Sequence, residues 1–316
     1  MPSQWSASAR FWVTTLGAGL LSGLLYLMVA RGSLWMLALF YFVQLPLFLA
    51  GLSLGLTASA LASATAAATA LLGHGWLSVL PLALAFVPPV LVIVRQALLS
   101  RPAAEGRVEW YPPGLLTGWL VGIGAAMVLA VSAVLLLSGG VESQVTDLTR
   151  HTIDTIQKIM PMGARFADPE RAVVEAAAFM PGIIVSFLLV ITAVNASLAQ
   201  MALTRLGMNL RPAPDIAALD LPVAVVLMFV AAMTLGLLLP GDLGYVLRNL
   251  APVALVGAVL SGLAVVHTVV RQLGSRHWLL VAVYIATVLV VWPVFMLAAL
   301  GLAEPFLKLR RRLAGA

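Results

Sequence analysis

From Ser33 to Gly73 the chain runs without a single charged side chain. A stretch that long cannot be the core segment of an ordinary soluble domain, and it exceeds the ~20 apolar residues that one helix needs to cross a bilayer. Two crossings and an intervening turn fit it, and Gly51 and Gly55 are the natural places to divide it. The rest of the sequence has the same character. Hydrophobic residues make up 62% of the 316 positions and charged residues only 9%, against about half and about a quarter in soluble proteins. The expected fold class is all-α, a polytopic integral membrane protein.

Nine hydrophobic segments can be drawn: Phe11–Ala30, Ser33–Gly55, Leu56–Gly73, Trp76–Leu99, Gly114–Ser138, Phe179–Ala202, Leu221–Leu239, Ala251–Val270 and Trp278–Leu302. Pro81 and the Pro88-Pro89 pair interrupt the fourth, which neighbouring helices can accommodate. The first reads as an uncleaved helix, being longer than a signal-peptide core. Between the fifth and sixth lies the one long polar stretch, residues 140–178. There Val145, Leu148, Thr152, Ile156 and Ile159 share one helical face, the pattern of an amphipathic helix lying on the membrane or capping the bundle. Trp110 and Tyr111 suit a headgroup-level anchor before the fifth helix.

Charge sets a topological problem. The net charge is +6, the sign expected for cytoplasmic loops. With the N-terminus inside and nine crossings, the tail Lys308–Arg312 falls outside, whereas its Lys-Leu-Arg-Arg-Arg sequence suits the cytoplasm. Eight crossings or an outer N-terminus reconcile the two.

Several chemistries are excluded. The only lysines are Lys158 and Lys308, and no Gly-Lys-Ser/Thr phosphate loop exists. The histidines His74, His151, His267 and His277 form no HExxH pair, and there is no cysteine for thiolate chemistry. The hydrophobic segments contain no Asp or Glu, against a carboxylate-based pump. No soluble basic domain is present to hold nucleic acid. No cofactor or metal site is expected, and the chain reads as a non-enzyme.

Polar residues within apolar segments are costly and therefore informative. Gln44, just before Pro46, and Asn195 form the pair best suited to surround a small polar substrate, with Gln200 on the same helix as Asn195 and His74 between the third and fourth segments. Each of these also suits a plain interhelical hydrogen bond. Small residues recur at spacing four: Gly19 and Gly23 in the first segment; Ala58, Ala62, Ala66 and Ala70 in the third; Gly114, Gly118 and Gly122 in the fifth; Gly257 and Ser261 in the eighth. Such faces serve close internal packing or docking of a partner membrane protein.

The order of Leu45-Pro46-Leu47-Phe48-Leu49-Ala50-Gly51-Leu52-Ser53-Leu54-Gly55, Arg95–Arg101, Glu109–Gly114, Asn195 with Thr204–Gly207, Asn249-Leu250, Ser261–Ala264 and Leu300–Glu304 with its basic tail resembles the YybS-like predicted membrane proteins, the family called domain of unknown function 2232. That family is grouped with the substrate-binding S components of energy-coupling-factor transporters. The resemblance implies a six-helix S-component-like module within residues 1–210, including the amphipathic segment, and a three-helix extension over 211–316 that departs from the pattern. It implies a bacterial inner-membrane, multi-pass location and lids at Arg31–Pro46, His74–Trp76 and Val141–Ala178. It also implies docking through Gly19 and Gly23 onto a membrane coupling subunit with a separate ATPase.

The expected function is a membrane-embedded component that binds a small molecule or lipid and is energised by a partner. The alternative is a non-catalytic scaffold or regulatory subunit. A lipid-acting enzyme, built on His151, Asp154 and Asp168, stands last.

Overall fold

The computed structural model describes residues 7–28, 38–103, 106–138, 178–272 and 276–314. Expectations that fall on 139–177, including the amphipathic lid and His151, Asp154 and Asp168, lie outside the described residues, as do residues 31–37 of the first lid. The chain divides into two compact units, residues 1–120 with 188–220 and residues 121–187 with 221–316. The described parts of residues 121–187 group with the C-terminal helices, where Val121 packs against Gly257 and Gly182 against Asn249 and Pro252.

In the first unit, α1 (Ala7–Met28) is followed by α2 (Leu45–Leu54) and α3 (Leu56–His74). The uncharged run breaks at Gly55, whose φ of +99° an L side chain rarely adopts. Gly51 stays within α2, against Val94 and Ser59. Helix α4 (Trp76–Ala97) absorbs its prolines through a π-helical stretch, Leu82–Phe86. Gly19 lies against Ala62 and Thr65, and Gly23 against Ala66 and Thr69, so α1 and α3 run parallel. Ser22 Oγ on α1 donates to the Val43 carbonyl at 2.7 Å, which ties the stretch before α2 to α1. A short antiparallel hairpin, β1 (Ser100–Pro102) and β2 (Val108–Trp110), leads to α5 (Pro113–Leu137). Helix α6 (Met180–Leu206) closes the unit with its C-terminal part. The Leu210 N–H donates to the Leu52 carbonyl, which brings the ends of α2 and α6 to one face. Arg10, Arg95, Arg101, Arg107, Arg205 and Arg211 all belong to segments ending on that face.

In the second unit, α7 (Val223–Leu238) and α10 (Trp292–Leu307) flank the long α8 (Gly241–Arg271), with α9 (Arg276–Leu289) before α10 and α11 (Leu309–Ala314) after it. Gly262 abuts Leu297 and Gly301 abuts Ala258, so α8 and α10 pack antiparallel through small residues.

Six described helices are long and apolar enough to span a bilayer, or up to seven when the α9–α10 pair, bent by 110°, counts as one. Each of the nine segments contains helix among its described residues, but nine full spans are not reached there. Helix α7 is held between Pro222 and Pro240 and has 16 residues, about 24 Å against a ~30 Å core. The second segment, described only from Ala38, carries a turn over Tyr41–Gln44. The ninth breaks before Pro293. Helix α8 is longer than its apolar run, because it starts at Gly241 and takes in Asp242, Arg248 and Asn249.

Candidate functional site

The turn Tyr41–Gln44 exists because Pro46 starts α2 and supplies no N–H to the turn before it. Two amides meet this turn. Gln44 is 2% exposed and donates from Nε2 to the Phe86 carbonyl at 2.9 Å. Asn195 on α6 is 1% exposed and donates from Nδ2 to the carbonyls of Tyr41 at 2.7 Å and Ile191 at 2.8 Å. The donations fix the orientation of both amides. Each then buries a carbonyl oxygen, Gln44 Oε1 and Asn195 Oδ1, with no hydrogen-bond donor. A buried amide oxygen without a donor costs about 1–3 kcal/mol. The sequence therefore identified both residues as buried amides, and the structure brings them to a common turn.

Gln200 belongs to a second cluster. Its Nε2 donates to the Arg211 carbonyl at 2.8 Å, which also accepts from Asn209 Nδ2 at 2.7 Å. The Arg211 guanidinium, 4% exposed, donates from Nη1 to the Ala97 carbonyl at 3.1 Å and from Nη2 to the Tyr111 carbonyl at 2.8 Å, while Nε has no partner. Ala97 closes α4, so the cation sits at the negative end of a helix dipole. Burial pushes the Arg211 pKa below its ordinary value. Arg211 is not among the residues that the sequence singles out. Nothing in the local sequence distinguishes it from Arg205.

His74 is exposed at the C-terminal end of α3, and no contact joins it to either amide cluster. Gly19 and Gly23 are buried against α3. A Cβ added at either would lie 2.5 Å from the Cβ of Thr65 or Thr69. That face is occupied by α3 of the same chain, the internal-packing role that such small-residue faces also serve. His267 donates from Nδ1 to the Leu263 carbonyl, 2.8 Å away, and its ring meets Tyr284 edge-on.

Two further clusters escaped the sequence reading. Asn249 Oδ1 accepts from the Gly182 N–H at 2.8 Å, and its Nδ2 donates to Ala178 and Tyr245 carbonyls at 2.9 Å. Glu304 and Arg310 form a buried ion pair at 2.9 Å. Among the described residues no group of three or more His, Cys, Asp or Glu could hold a metal ion.

Six long apolar helices among the described residues define a multi-pass α-helical membrane protein. The chain belongs to the family described as predicted membrane protein, DUF2232, which matches residues 20–303. No curated protein and no solved structure matches it.

Proposed function

We propose that the protein is a non-enzymatic, membrane-embedded component that binds a small polar molecule or a lipid at the Tyr41–Gln44 turn and works with an energising membrane partner that carries its own ATPase. The observation that carries this reading is the pair of buried acceptors, Gln44 Oε1 and Asn195 Oδ1, left without donors beside an interrupted helix. Interrupted helices near the membrane midplane are a recurrent place for transported ligands. Acceptors alone select a ligand that donates hydrogen bonds. Orientation follows from the arginine-bearing face of the first unit, which the positive-inside rule places in the cytoplasm of an inner-membrane protein. The S-component-like module over 1–210 is the frame in which this binding would operate.

Native mass spectrometry of the gently solubilised chain tests the reading. A retained small-molecule mass, lost on Asn195→Leu or Gln44→Leu while the fold survives, supports it. A ligand-free wild type that gains stability on Asn195→Leu overturns it. The second reading, a scaffold or regulatory subunit, draws on the fact that both amides already tie their NH2 groups to backbone carbonyls. It expects a companion subunit and no ligand.

A further inference from the structure

The basic tail is not a free arm. Helix α10 ends at Lys308, a left-handed residue with φ of +49° whose N–H donates to the Glu304 carbonyl. This turn feeds α11, and the Glu304 carboxylate holds it there. Oε2 accepts from the Leu309 N–H at 2.9 Å, and Oε1 accepts from the Arg310 N–H at 3.3 Å and from Arg310 Nε at 2.9 Å. Both side chains are buried. Arg310 is thereby spent inside the fold, and Glu304 is the only acid between Arg276 and Ala314.

What remains outside is uniformly positive. Lys308, Arg311 and Arg312 are exposed, and beside them Phe306 is 63% and Leu307 45% exposed. An acidic soluble partner would match the charges but leave the apolar pair in water. A bilayer surface matches both, since aromatic and aliphatic side chains enter the acyl boundary while cations reach phosphate. We infer that α11 is a fixed electrostatic anchor for anionic lipid headgroups, with Lys308, Arg311 and Arg312 facing the phosphates and Phe306 and Leu307 the acyl boundary. The inference does not depend on the ligand reading above.

The chain lacks cysteine, so Ala314→Cys takes a single environment-sensitive fluorophore in the full-length protein. The labelled protein is placed in nanodiscs of phosphatidylcholine alone or with increasing phosphatidylglycerol. Emission should shift to that of a membrane-seated dye as phosphatidylglycerol rises, and molar salt should erase the shift. The Arg311→Gln/Arg312→Gln double variant should weaken the response roughly 30-fold, from about tenfold per 1.4 kcal/mol and ~1 kcal/mol per basic residue. Glu304→Gln should keep the lipid dependence, now with Arg310 released, but lower the fluorescence anisotropy as the latch opens. Emission that ignores phosphatidylglycerol, or a double variant that responds like the parent, overturns the anchor. Unchanged anisotropy in Glu304→Gln overturns the latch.

Discussion

The clearest discriminating perturbation is a single methyl group on α1. At Gly19 a Cβ would collide with the Ala62 carbonyl and lie 2.5 Å from Thr65 Cβ, both on α3, whereas at Gly17 nothing lies within 4 Å. The two positions share one helix, so the intrinsic gain of Gly→Ala, about 0.5–1 kcal/mol in a helix interior, is common to both and cancels in their difference. What is left is the overlap with α3, about 1–3 kcal/mol for over-packing a close contact. Part of that contact is backbone, which a rotamer change in Thr65 cannot relieve. Gly17→Ala should therefore be neutral or slightly stabilising, and Gly19→Ala less stable than it by about 1–3 kcal/mol. A shift of about 2 °C per kcal/mol is the scale for a chain of this size. Intrinsic tryptophan fluorescence during heating in detergent measures it, since the absence of cysteine removes thiol-reactive dyes as an option. If Gly19→Ala melts with Gly17→Ala, then α3 does not occupy this face and the packing argument fails. If it also loses a co-purifying partner at full stability, the glycine face is a docking surface after all.

Other positions carry their own expectations. Asn249→Ala should cost about 1–3 kcal/mol, because it strips a cap from the buried Gly182 N–H and a donor from two carbonyls; Asn249→Asp keeps the acceptor but faces a carboxylate to those carbonyls, and should be no better in the same melting assay. Arg211→Lys should lose about 1.5–3 kcal/mol, since a compact ammonium cannot span the Ala97 and Tyr111 carbonyls, and proteolysis near the β-hairpin should accelerate. Arg101, 2.8 Å away, holds the Glu109 carboxyl below the usual carboxylate range. The folded pKa is the depressed one, so the pair's contribution is present above the unfolded value of about 4.3 and fades as pH falls through the folded value. Both groups are exposed, so amide exchange in the hairpin should rise modestly in acid, and Glu109→Gln should remove that pH dependence.

Much of the fold was legible because its punctuation is chemical. Gly55 divides the uncharged run at a positive φ, and Pro222 and Pro240 bracket α7. The start of α8 was not legible. Asp242, Arg248 and Asn249 precede the apolar segment drawn from Ala251, yet Asp242 lies in the first turn, where an acid favours the helix dipole, and the helix runs through all three. The grouping of residues 121–187 with the C-terminal helices rests on contacts such as Gly182 with Pro252, which no local pattern encodes. Gln44, Asn195 and Gln200 stood out as amides among apolar neighbours, but their partners are main-chain carbonyls, and every residue type carries one of those.

Those carbonyls share a property that explains most of the polar side chains. Apolar surroundings oblige each backbone group to find a partner within the protein, and helix ends and breaks release carbonyls from the i+4 ladder. Gly236 is the plainest case: its i+4 residue is Pro240, which has no N–H, and Arg248 Nη1 donates to its carbonyl at 2.9 Å. The Tyr41 carbonyl, freed by the turn, takes Asn195; the Ala97 carbonyl, at the end of α4, takes Arg211; the Ala178 carbonyl, ahead of α6, takes Asn249. Repair of broken helices therefore accounts for the donor half of each of these side chains. It does not account for the acceptor half of Gln44 and Asn195. In Asn249 the oxygen is used as well, by Gly182, so an amide recruited only for repair can satisfy both ends. Two amides at one turn that satisfy only the donor end are asymmetric in the way a site for a donating ligand requires, and replacing that turn's amides with leucine separates repair from recognition.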